Sequence, residues 1–510
     1  MKNRIASRMD KLLPSGIRKV NEKALAMERE GKNVIHFEIG RPDFDTPDYI
    51  KKAAEDSLKR GEVFYTSNYG DMQLRETIAW KLTTQNQIPT KATEVLVTVG
   101  LSEAIFDLLC TILDAGDEIL VPDPVWMNYV NVPRLLGAVP VSYRLREEND
   151  YQMDLDEVRS KITDKTKALV IVTPNNPTGS VLSEEVLTEL AKLAVEKDIL
   201  IIADEVYERL LYDGTKHVSI ASLPGMKERT FTLNGMSKAY SMTGWRLGYV
   251  SAPEEYILAM NKIHQHNVTC APSFVQKASI AALRDETDEV EKMVVEYQRR
   301  RDYAVKAINE IPGLSCRCPK GAFYIFINIK DLGISSAKFT DYLLEEAYIA
   351  LVPGDVFGTS GEGYIRMSFA NSYENIVEDG MVARSIFAIR FGSRILSDPE
   401  GHKTHVIGSL ESIFLKHPIA SKKLVTDKLS AQVRDILNLD HEVWTNPWDN
   451  SIASTTSFPD LYHQTLKKCN AVYYYLNAFL IANVPSGPPD MSALLAELGN
   501  YSYHSGLDVG

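Results

Sequence analysis

Residues 232–248 read Thr-Leu-Asn-Gly-Met-Ser-Lys-Ala-Tyr-Ser-Met-Thr-Gly-Trp-Arg-Leu-Gly and place a lysine shortly after a predicted strand. Arg246 follows Lys238 eight residues later, with glycines around both side chains. A lysine that forms a Schiff base needs a site of low polarity, which leaves part of its amine neutral. An arginine offers a planar fork of donors that suits a phosphate dianion. The stretch therefore indicates a site for a ligand that carries an aldehyde and a phosphate.

Strand and helix patterns alternate on both sides of this stretch, from about residue 30 to residue 395. Amphipathic segments such as Ser102–Leu113 and Ser183–Glu196 separate short β-branched strands. Because strands separated by helices need crossover connections, the pattern predicts an α/β fold with a mostly parallel, doubly covered sheet. The predicted strands are Glu94–Val99, Glu118–Val121, Ala168–Thr173, Leu200–Ala203, Thr230–Leu233 and Leu247–Ser251.

The pattern changes after about residue 285 and predicts a second, smaller α/β domain. A long charged helix, Glu286–Glu310, precedes strands at Phe323–Ile327 and Gly363–Phe369. The N-terminal residues are expected to pack with this domain, because the first strand of the large sheet comes only later. We therefore expect an N-terminal arm at 1–47, a large domain at 48–284, a small domain at 285–395 and a helical appendage at 396–510.

A carboxylate stands at the end of an apolar strand in Ile202-Ala-Asp-Glu-Val-Tyr207. In an open α/β sheet, the carboxyl ends of the strands face the ligand crevice. A carboxylate there can keep a pyridine nitrogen of a ligand protonated, because an adjacent opposite charge favours the charged form. The alternative is that Asp204 caps the following helix, a common use of aspartate.

Four further segments place glycine, asparagine, tryptophan or arginine at strand ends, turns or within a strand. Each alone is compatible with an ordinary turn or core position. A glycine between strand and helix exposes backbone N–H groups that can bind a phosphate. An arginine among apolar neighbours on a strand needs a carboxylate partner, from the protein or from a ligand. The segments are Val97-Thr-Val-Gly-Leu-Ser-Glu-Ala104, Asp123-Pro-Val-Trp-Met-Asn-Tyr129, Thr173-Pro-Asn-Asn-Pro-Thr-Gly179 and Gly363-Tyr-Ile-Arg-Met-Ser-Phe-Ala370.

Taken together and in chain order, these motifs closely resemble those of the class I and II aminotransferases, in particular the aspartate and aromatic aminotransferases. The resemblance covers roughly residues 10 to 392 and does not extend to the last 110 or so residues. It implies pyridoxal 5′-phosphate as cofactor and fold type I, which has a large domain with a mainly parallel sheet of the seven-stranded type and a small α/β domain. It also implies a homodimer with shared active sites.

The resemblance implies a role for each matching side chain. Lys238 then forms the Schiff base with the cofactor and moves the proton, Asp204 holds the ring nitrogen, and Tyr207 hydrogen-bonds the ring 3′-oxygen. The other implied cofactor contacts are Gly100, Leu101, Ser102, Trp126, Asn176, Arg246 and, across the dimer interface, Tyr65. The implied substrate contacts are Gly40, Asn176, Trp126 and Arg366, of which the last binds the α-carboxylate.

Four positions depart from the family pattern or bear on the substrate. Gly235 stands where many relatives carry serine, so one phosphate ligand is missing or comes from elsewhere. Ser102 stands where bacterial aspartate aminotransferases often place a lysine for the distal carboxylate, which argues against a strict aspartate enzyme. His264 and His266 fall in the segment that usually lines the side-chain pocket, which favours an aromatic or polar substrate.

The predicted reaction is amino transfer between an amino acid and a keto acid or other carbonyl acceptor. Carbon–sulfur lyases, cyclopropane-forming synthases and decarboxylases use the same fold and cofactor and are the alternatives, because fold does not fix chemistry. A non-catalytic, ligand-sensing regulator is a remoter alternative. Such regulators usually add a basic DNA-binding domain, and none precedes the core.

Composition excludes other classes of protein. The 510 residues carry a net charge of −12, which argues against broad nucleic-acid binding. No apolar run is long enough to span a bilayer, and the charged N-terminus lacks the apolar stretch of a signal peptide. The five cysteines are scattered and form no zinc or disulfide pattern. We expect a cytoplasmic protein without a metal site.

Beyond Ser393–Lys403, where turn-forming residues cluster, the sequence predicts a small helical appendage. Its predicted helices are Ser421–Leu437 and Pro459–Ala482, and the second carries an apolar stripe. Three roles stay open for this appendage: covering the active-site mouth, extending the dimer interface or docking a partner, and stabilising the core. His402 and His405 lack a third metal ligand.

Overall fold

The computed structural model describes residues 5–12, 14–284, 287–311 and 313–377. The predicted appendage at 396–510, its two helices and residues 378–395 of the predicted small domain lie outside these described residues.

Strands and helices alternate along most of the described chain. The strands are β1 (Ile35–His36), β2 (Val95–Thr98), β3 (Glu118–Asp123), β4 (Val139–Arg144), β5 (Thr166–Val172), β6 (Leu200–Asp204), β7 (Thr230–Gly235), β8 (Gly248–Ser251), β9 (Ser315–Cys316), β10 (Tyr324–Asn328), β11 (Ile349–Ala350), β12 (Val352–Pro353) and β13 (Tyr364–Ser368). The α-helices are α1 (Gly16–Arg29), α2 (Asp48–Lys59), α3 (Met72–Thr84), α4 (Leu101–Ile112), α5 (Asn128–Leu136), α6 (Leu155–Lys161), α7 (Glu184–Lys197), α8 (Glu254–Asn267), α9 (Ser273–Leu283), α10 (Glu289–Asn309), α11 (Ser336–Ala347) and α12 (Tyr373–Val377).

Seven strands form the central sheet in the order β2-β8-β7-β6-β5-β3-β4. Only β8 runs antiparallel to its neighbours, β2 and β7, and the other pairs in this sheet are parallel. The predicted α/β class with a mainly parallel sheet is therefore confirmed. Because β2 and β7 are both antiparallel to β8, they run in the same direction, and so do β3, β5 and β6.

Strand β5 illustrates why this sheet is covered on both faces. Side chains of a strand alternate between the two faces. Ala168, Val170 and Val172 pack in one apolar cluster with residues of α4 and α8. Leu169 and Ile171 pack in another cluster with residues of α6 and α7. A strand buried on both faces reads as an apolar run, which explains why its sequence indicated a parallel sheet.

A second sheet contains β12, β13, β10 and β9 in that order, all antiparallel. In a separate pair, β1 from the N-terminal region lies parallel to β11, with Ile35 opposite Ile349. The carboxylate of Asp123, at the end of β3, accepts hydrogen bonds from the Thr359 hydroxyl (2.8 Å) and the Ser360 N–H (3.1 Å). These contacts join the central sheet to the chain just before β13.

The described part of the chain contains no helix that is both long and apolar enough to cross a membrane.

Candidate active site

Predicted site residues follow five strands of the central sheet that run in one direction. Parallel strands end at the same edge of a sheet, where α/β proteins bind their ligands. The residues are Gly100 after β2, Trp126 after β3, Asn176 after β5, Asp204 at the end of β6 and Lys238 after β7. The topology of the sheet thus brings together residues that are up to 138 positions apart in sequence.

Lys238 lies in a site of low polarity. Its Nζ donates a hydrogen bond to the Gly40 carbonyl oxygen (2.5 Å) and lies 5.6 Å from the ring centroids of Tyr207 and Phe323. Burial and the positive charges of Arg366 and Arg246 lower the pKa of Lys238 to about 7, against the opposing effect of Asp204. A substantial fraction of the amine is therefore neutral near pH 7, as a nucleophilic lysine requires.

Asp204 is buried at the end of β6 and bonded to Tyr129. Its Oδ2 accepts the Tyr129 hydroxyl (2.8 Å), and its Oδ1 accepts the Val206 N–H (3.2 Å). Burial raises the pKa of Asp204 to about 6, while these hydrogen bonds and the charge of Lys238 oppose the rise. The carboxylate is therefore mostly ionised at neutral pH and can pair with a cationic ring nitrogen.

Arg366, on β13, is buried without a carboxylate partner and has a relative exposure of 1%. Its Nη1 donates to Asn176 Oδ1 (2.9 Å) and its Nη2 to the Glu38 carbonyl oxygen (2.5 Å). Its Nε has no hydrogen-bond partner, and Arg366 takes part in no ion pair among the described residues. The guanidinium also lies 4.4 Å from the ring centroid of Tyr324. An unpaired buried cation of this kind suits an anionic ligand group.

Two tyrosines join the central sheet to the second sheet at this site. The hydroxyls of Tyr207 and Tyr324 are 2.7 Å apart, and both side chains are buried. Gly40 lies directly against the Tyr324 hydroxyl, so a Cβ at residue 40 would overlap it. The absence of a side chain at Gly40 therefore allows the N-terminal segment to approach both Tyr324 and Lys238.

Gly100 and Arg246 form a cradle at the N-terminus of α4. Gly100 is the N-cap residue, with φ of 79°, and a Cβ there would lie 2.5 Å from Arg246 Nη2. The guanidinium of Arg246 donates to the Thr243 carbonyl oxygen (3.1 Å) and forms no ion pair among the described residues. Helix N-termini attract anions through their free N–H groups and dipole. A phosphate fits this cradle.

The remaining predicted residues are placed as follows. Leu101 and Ser102 form the first turn of α4. Trp126 is partly buried and meets Tyr129 edge-on, with ring centroids 6.3 Å apart. Tyr65 is not brought into the cluster within one chain, and its relative exposure is 88%.

Sequence reasoning did not identify Tyr129, Tyr324 or the carbonyl of Glu38 as parts of the site. Tyr129 stood at the end of a quoted motif, but nothing in the motif indicates that its hydroxyl reaches Asp204, 75 residues away. His264, on α8, is fully buried and hydrogen-bonded to Glu103 on α4, whereas His266 is exposed.

Solved structures of aminotransferases share this architecture. The structure of an aspartate aminotransferase from Thermus thermophilus with maleate superposes with a TM-score of 0.72 at 38% identity, covering 76% of this chain and 99% of that one. An aromatic aminotransferase from Pyrococcus horikoshii OT3 gives a TM-score of 0.69 at 44% identity, covering 72% and 99%. The fold is thus the type I fold of enzymes that use pyridoxal phosphate.

The family assignment rests on sequence as well. The model of the family "Aminotransferase class I and II" matches residues 32–381. An aspartate aminotransferase from Pyrococcus abyssi is 47% identical over 379 residues, which cover 73% of this chain and 96% of that protein. The Aromatic-amino-acid aminotransferase 2 of Thermococcus litoralis is 45% identical over 377 residues, with the same coverage. The chain belongs to the class I and II aminotransferases and is a pyridoxal-phosphate-dependent enzyme.

The residues present fit this cofactor. The cradle at Gly100 and Arg246 suits its phosphate, the ionised Asp204 suits its ring nitrogen, and the partly neutral amine of Lys238 suits its aldehyde. The three groups stand at the ends of β2, β6 and β7, on one edge of the sheet.

Proposed function

We propose that this enzyme transfers the amino group of an aromatic or acidic amino acid to a 2-keto acid, with Arg366 binding the α-carboxylate of both. The observation that carries the proposal is the buried guanidinium of Arg366, which has an unpartnered Nε and no carboxylate partner among the described residues. A carboxylate of the substrate would supply that partner in a bidentate geometry.

The cofactor, when bound, supplies the carbonyl that takes up the amino group and a ring that withdraws electrons from the reacting carbon. Arg246 and the N–H groups at Gly100, Leu101 and Ser102 would hold its phosphate. Asp204 would keep the ring nitrogen protonated, with Tyr129 orienting the carboxylate. Tyr207 and Asn176 would hydrogen-bond the ring oxygen, and Trp126 would stack on the ring.

Lys238 moves the proton in this proposal. Its Nζ would accept the proton from the substrate Cα and later donate it again, and its pKa of about 7 is suited to both directions. The Gly40 carbonyl accepts a hydrogen bond from Nζ, and Gly40 is itself one of the substrate contacts that the family resemblance implies. The position of Nζ therefore depends on how closely the N-terminal segment at Gly40 approaches Lys238.

The choice of amino donor is the finer part of the proposal. Relatives of similar identity are named for aspartate and for aromatic amino acids. We favour aromatic donors, because Ser102 offers no positive charge to a second carboxylate at the position where many aspartate enzymes have lysine.

A spectral titration with single amino acids tests the reaction and identifies the donor. We expect an aromatic amino acid to remove the yellow absorption of the holoenzyme, and a keto acid to restore it. Aspartate as the only effective donor would contradict the choice of donor. Release of sulfide or carbon dioxide without restoration would contradict amino transfer.

The substitution Arg366→Lys tests the carboxylate site. Lysine cannot make the bidentate contact, so we expect kcat/KM for the amino acid to fall about a hundredfold. Arg301→Lys is the matched control, because Arg301 is equally buried but pairs with Asp213 and Asp302. Steady-state kinetics should show unchanged kcat/KM for the control. Equal losses in both variants would contradict the role of Arg366.

We also propose that the enzyme is a cytoplasmic homodimer. The segment Val63–Tyr65 supports the dimer, because its three side chains have relative exposures of 58%, 81% and 88%, an apolar surface that an interface would cover. The four described cysteines are unpaired, which fits a reducing compartment.

A further inference from the structure

Glu103 braces the phosphate cradle from within α4. It lies in the first turn of this helix, three residues after Gly100. Its Oε2 accepts a hydrogen bond from the Val99 N–H (2.5 Å), and Val99 is the residue that leads into the cradle. The position of this carboxylate therefore fixes the backbone on which the phosphate would rest.

The same carboxylate places a negative charge directly behind the anion site. A helix N-terminus favours negative charge, and Glu103 would share it with a phosphate dianion. Asp107 adds a second carboxylate one turn further along the helix, with no solvent exposure. Neither oxygen of Asp107 has a hydrogen-bond partner within the described residues. Two buried carboxylates behind an anion site need a counter-charge.

His264 supplies that counter-charge from α8. Its Nδ1 lies 2.5 Å from Glu103 Oε1 and 3.5 Å from Asp107 Oδ2, and the side chain is fully buried. Burial alone would lower the pKa of His264, but Asp107 and Glu103 outweigh it and raise the pKa to about 9. Among the described residues, neither carboxylate pairs with any other cationic side chain.

We propose that His264 is a positioning residue for the cofactor phosphate: clamped between Glu103 and Asp107, it holds Glu103 against Val99 and offsets the negative charge behind the cradle. The proposal rests on the proposed function, in which this cradle binds the phosphate. His264 touches neither cofactor nor substrate and acts through Glu103. Its effect should therefore depend on whether the ligand carries a phosphate.

The test compares the affinities of the cofactor-free protein for pyridoxal 5′-phosphate and for pyridoxal, which lacks the phosphate. In His264→Gln, we expect the Kd of pyridoxal phosphate to rise about tenfold, because the carboxylates behind the cradle lose their counter-charge. The Kd of pyridoxal should change much less. His266→Gln, an exposed change on the same helix, is the control and should alter neither.

A second variant separates charge from folding. Asp107→Asn removes one buried negative charge, so we expect His264→Gln/Asp107→Asn to recover most of the lost phosphate affinity. If His264→Gln alone does not fold, Asp107→Asn in the otherwise unchanged protein should bind pyridoxal phosphate more tightly and pyridoxal equally well.

Three results would overturn the proposal. One is an equal loss of affinity for both ligands in His264→Gln, which a merely structural role would give. Another is failure of Asp107→Asn to shift the affinity for pyridoxal phosphate relative to that for pyridoxal. The third is one equivalent of a divalent metal in the purified protein that is lost on substitution of His264, because the metal would then replace the proton. If the cradle does not bind the phosphate at all, the result is distinguishable from these three. The unsubstituted protein would then bind pyridoxal phosphate no more tightly than pyridoxal.

Discussion

In the proposed function, Asp204 has to stay ionised in a buried position, and its neighbours decide whether it does. Burial raises the pKa of Asp204 to about 6, whereas the Tyr129 hydroxyl and the Val206 N–H stabilise the charged form. Hydrogen bonds to a carboxylate lower its pKa. At pH 7 the balance leaves the carboxylate ionised by a narrow margin, so the loss of one donor should have a measurable effect.

Replacing Tyr129 by phenylalanine removes that donor. The pKa of Asp204 should then rise, and the acid limb of the pH profile of kcat/KM should move to higher pH by about one unit. The sign follows because the proposed function needs the ionised carboxylate of Asp204, and a higher pKa lowers its ionised fraction at any given pH near the pKa. Tyr143→Phe is the control, because the buried Tyr143 hydroxyl donates only to the Val170 carbonyl. An acid limb that stays in place in Tyr129→Phe would show that Tyr129 does not tune Asp204.

Residues of the candidate site could be predicted where the motif itself carries the chemistry. Lys238 and Arg246 lie in one contiguous stretch, and Asp204 ends an apolar strand. The contacts between these motifs could not be predicted. The Tyr207–Tyr324 pair spans 117 residues and depends on how the two sheets meet, which no local pattern encodes.

The N-terminus of α4 combines a positive-φ backbone conformation at Gly100 with a close approach of the Arg246 guanidinium. Gly100 has a positive φ, which glycine adopts without strain, and its missing Cβ leaves room for the guanidinium of Arg246. Both properties are needed for the backbone N–H groups and the guanidinium to face one anion.

Gly100→Ala should weaken cofactor binding by displacing Arg246 from the cradle. We expect the Kd of pyridoxal phosphate to rise about tenfold or more. The strained backbone at residue 100 and the close contact between its Cβ and Arg246 each cost on the order of 1 kcal/mol or more. Gly61→Ala separates the two effects: Gly61 also has a positive φ (74°), but no atom lies near its Cβ position. Titration of both variants should show a loss of affinity in the first alone. A comparable loss of affinity in Gly61→Ala would show that the loss in Gly100→Ala comes from general destabilisation of the protein.

The strands of the central sheet were predicted well where burial makes them apolar. All six predicted strands are present, with ends shifted by at most two residues. Strand β4 was not predicted. It is the edge strand beside β3, and most of its side chains are partly or fully exposed, so its sequence lacks the apolar run of its neighbours. The predicted helix Glu286–Glu310 begins at Glu289 and ends at Asn309.

Tyr65 is almost fully exposed within one chain, and the neighbouring Phe64 is exposed as well. In the proposed dimer, Tyr65 would complete the phosphate site of the partner subunit.

Hybrid dimers test this arrangement. Tyr65→Ala and Lys238→Ala should each lower activity strongly when made alone. In a hybrid of the two, one site carries both defects and the other carries none, so activity should return when both chains are co-expressed with different tags. Activity of the doubly purified hybrid is the measurement, and a hybrid as inactive as its parents would contradict shared sites. Co-expression of two Lys238→Ala chains is the control.

The family match ends at residue 381, and the aligned part of this chain covers 96% of the Pyrococcus abyssi relative. The family model does not extend to the sequence beyond residue 381. Its role could therefore not be predicted by resemblance, and the predicted helices there rest on periodicity alone.

The guanidinium of Arg366 is held by Asn176 and by the carbonyl of Glu38, so three distant parts of the chain meet at one side chain. During synthesis, the ribosome must pass residue 366 before these three parts can meet. A nascent chain that stops earlier already contains Lys238, Gly100 and Arg246, the residues of the proposed cofactor site. It lacks the one side chain that we propose binds the α-carboxylate, so the proposed substrate site is the last part of the active site to be synthesised.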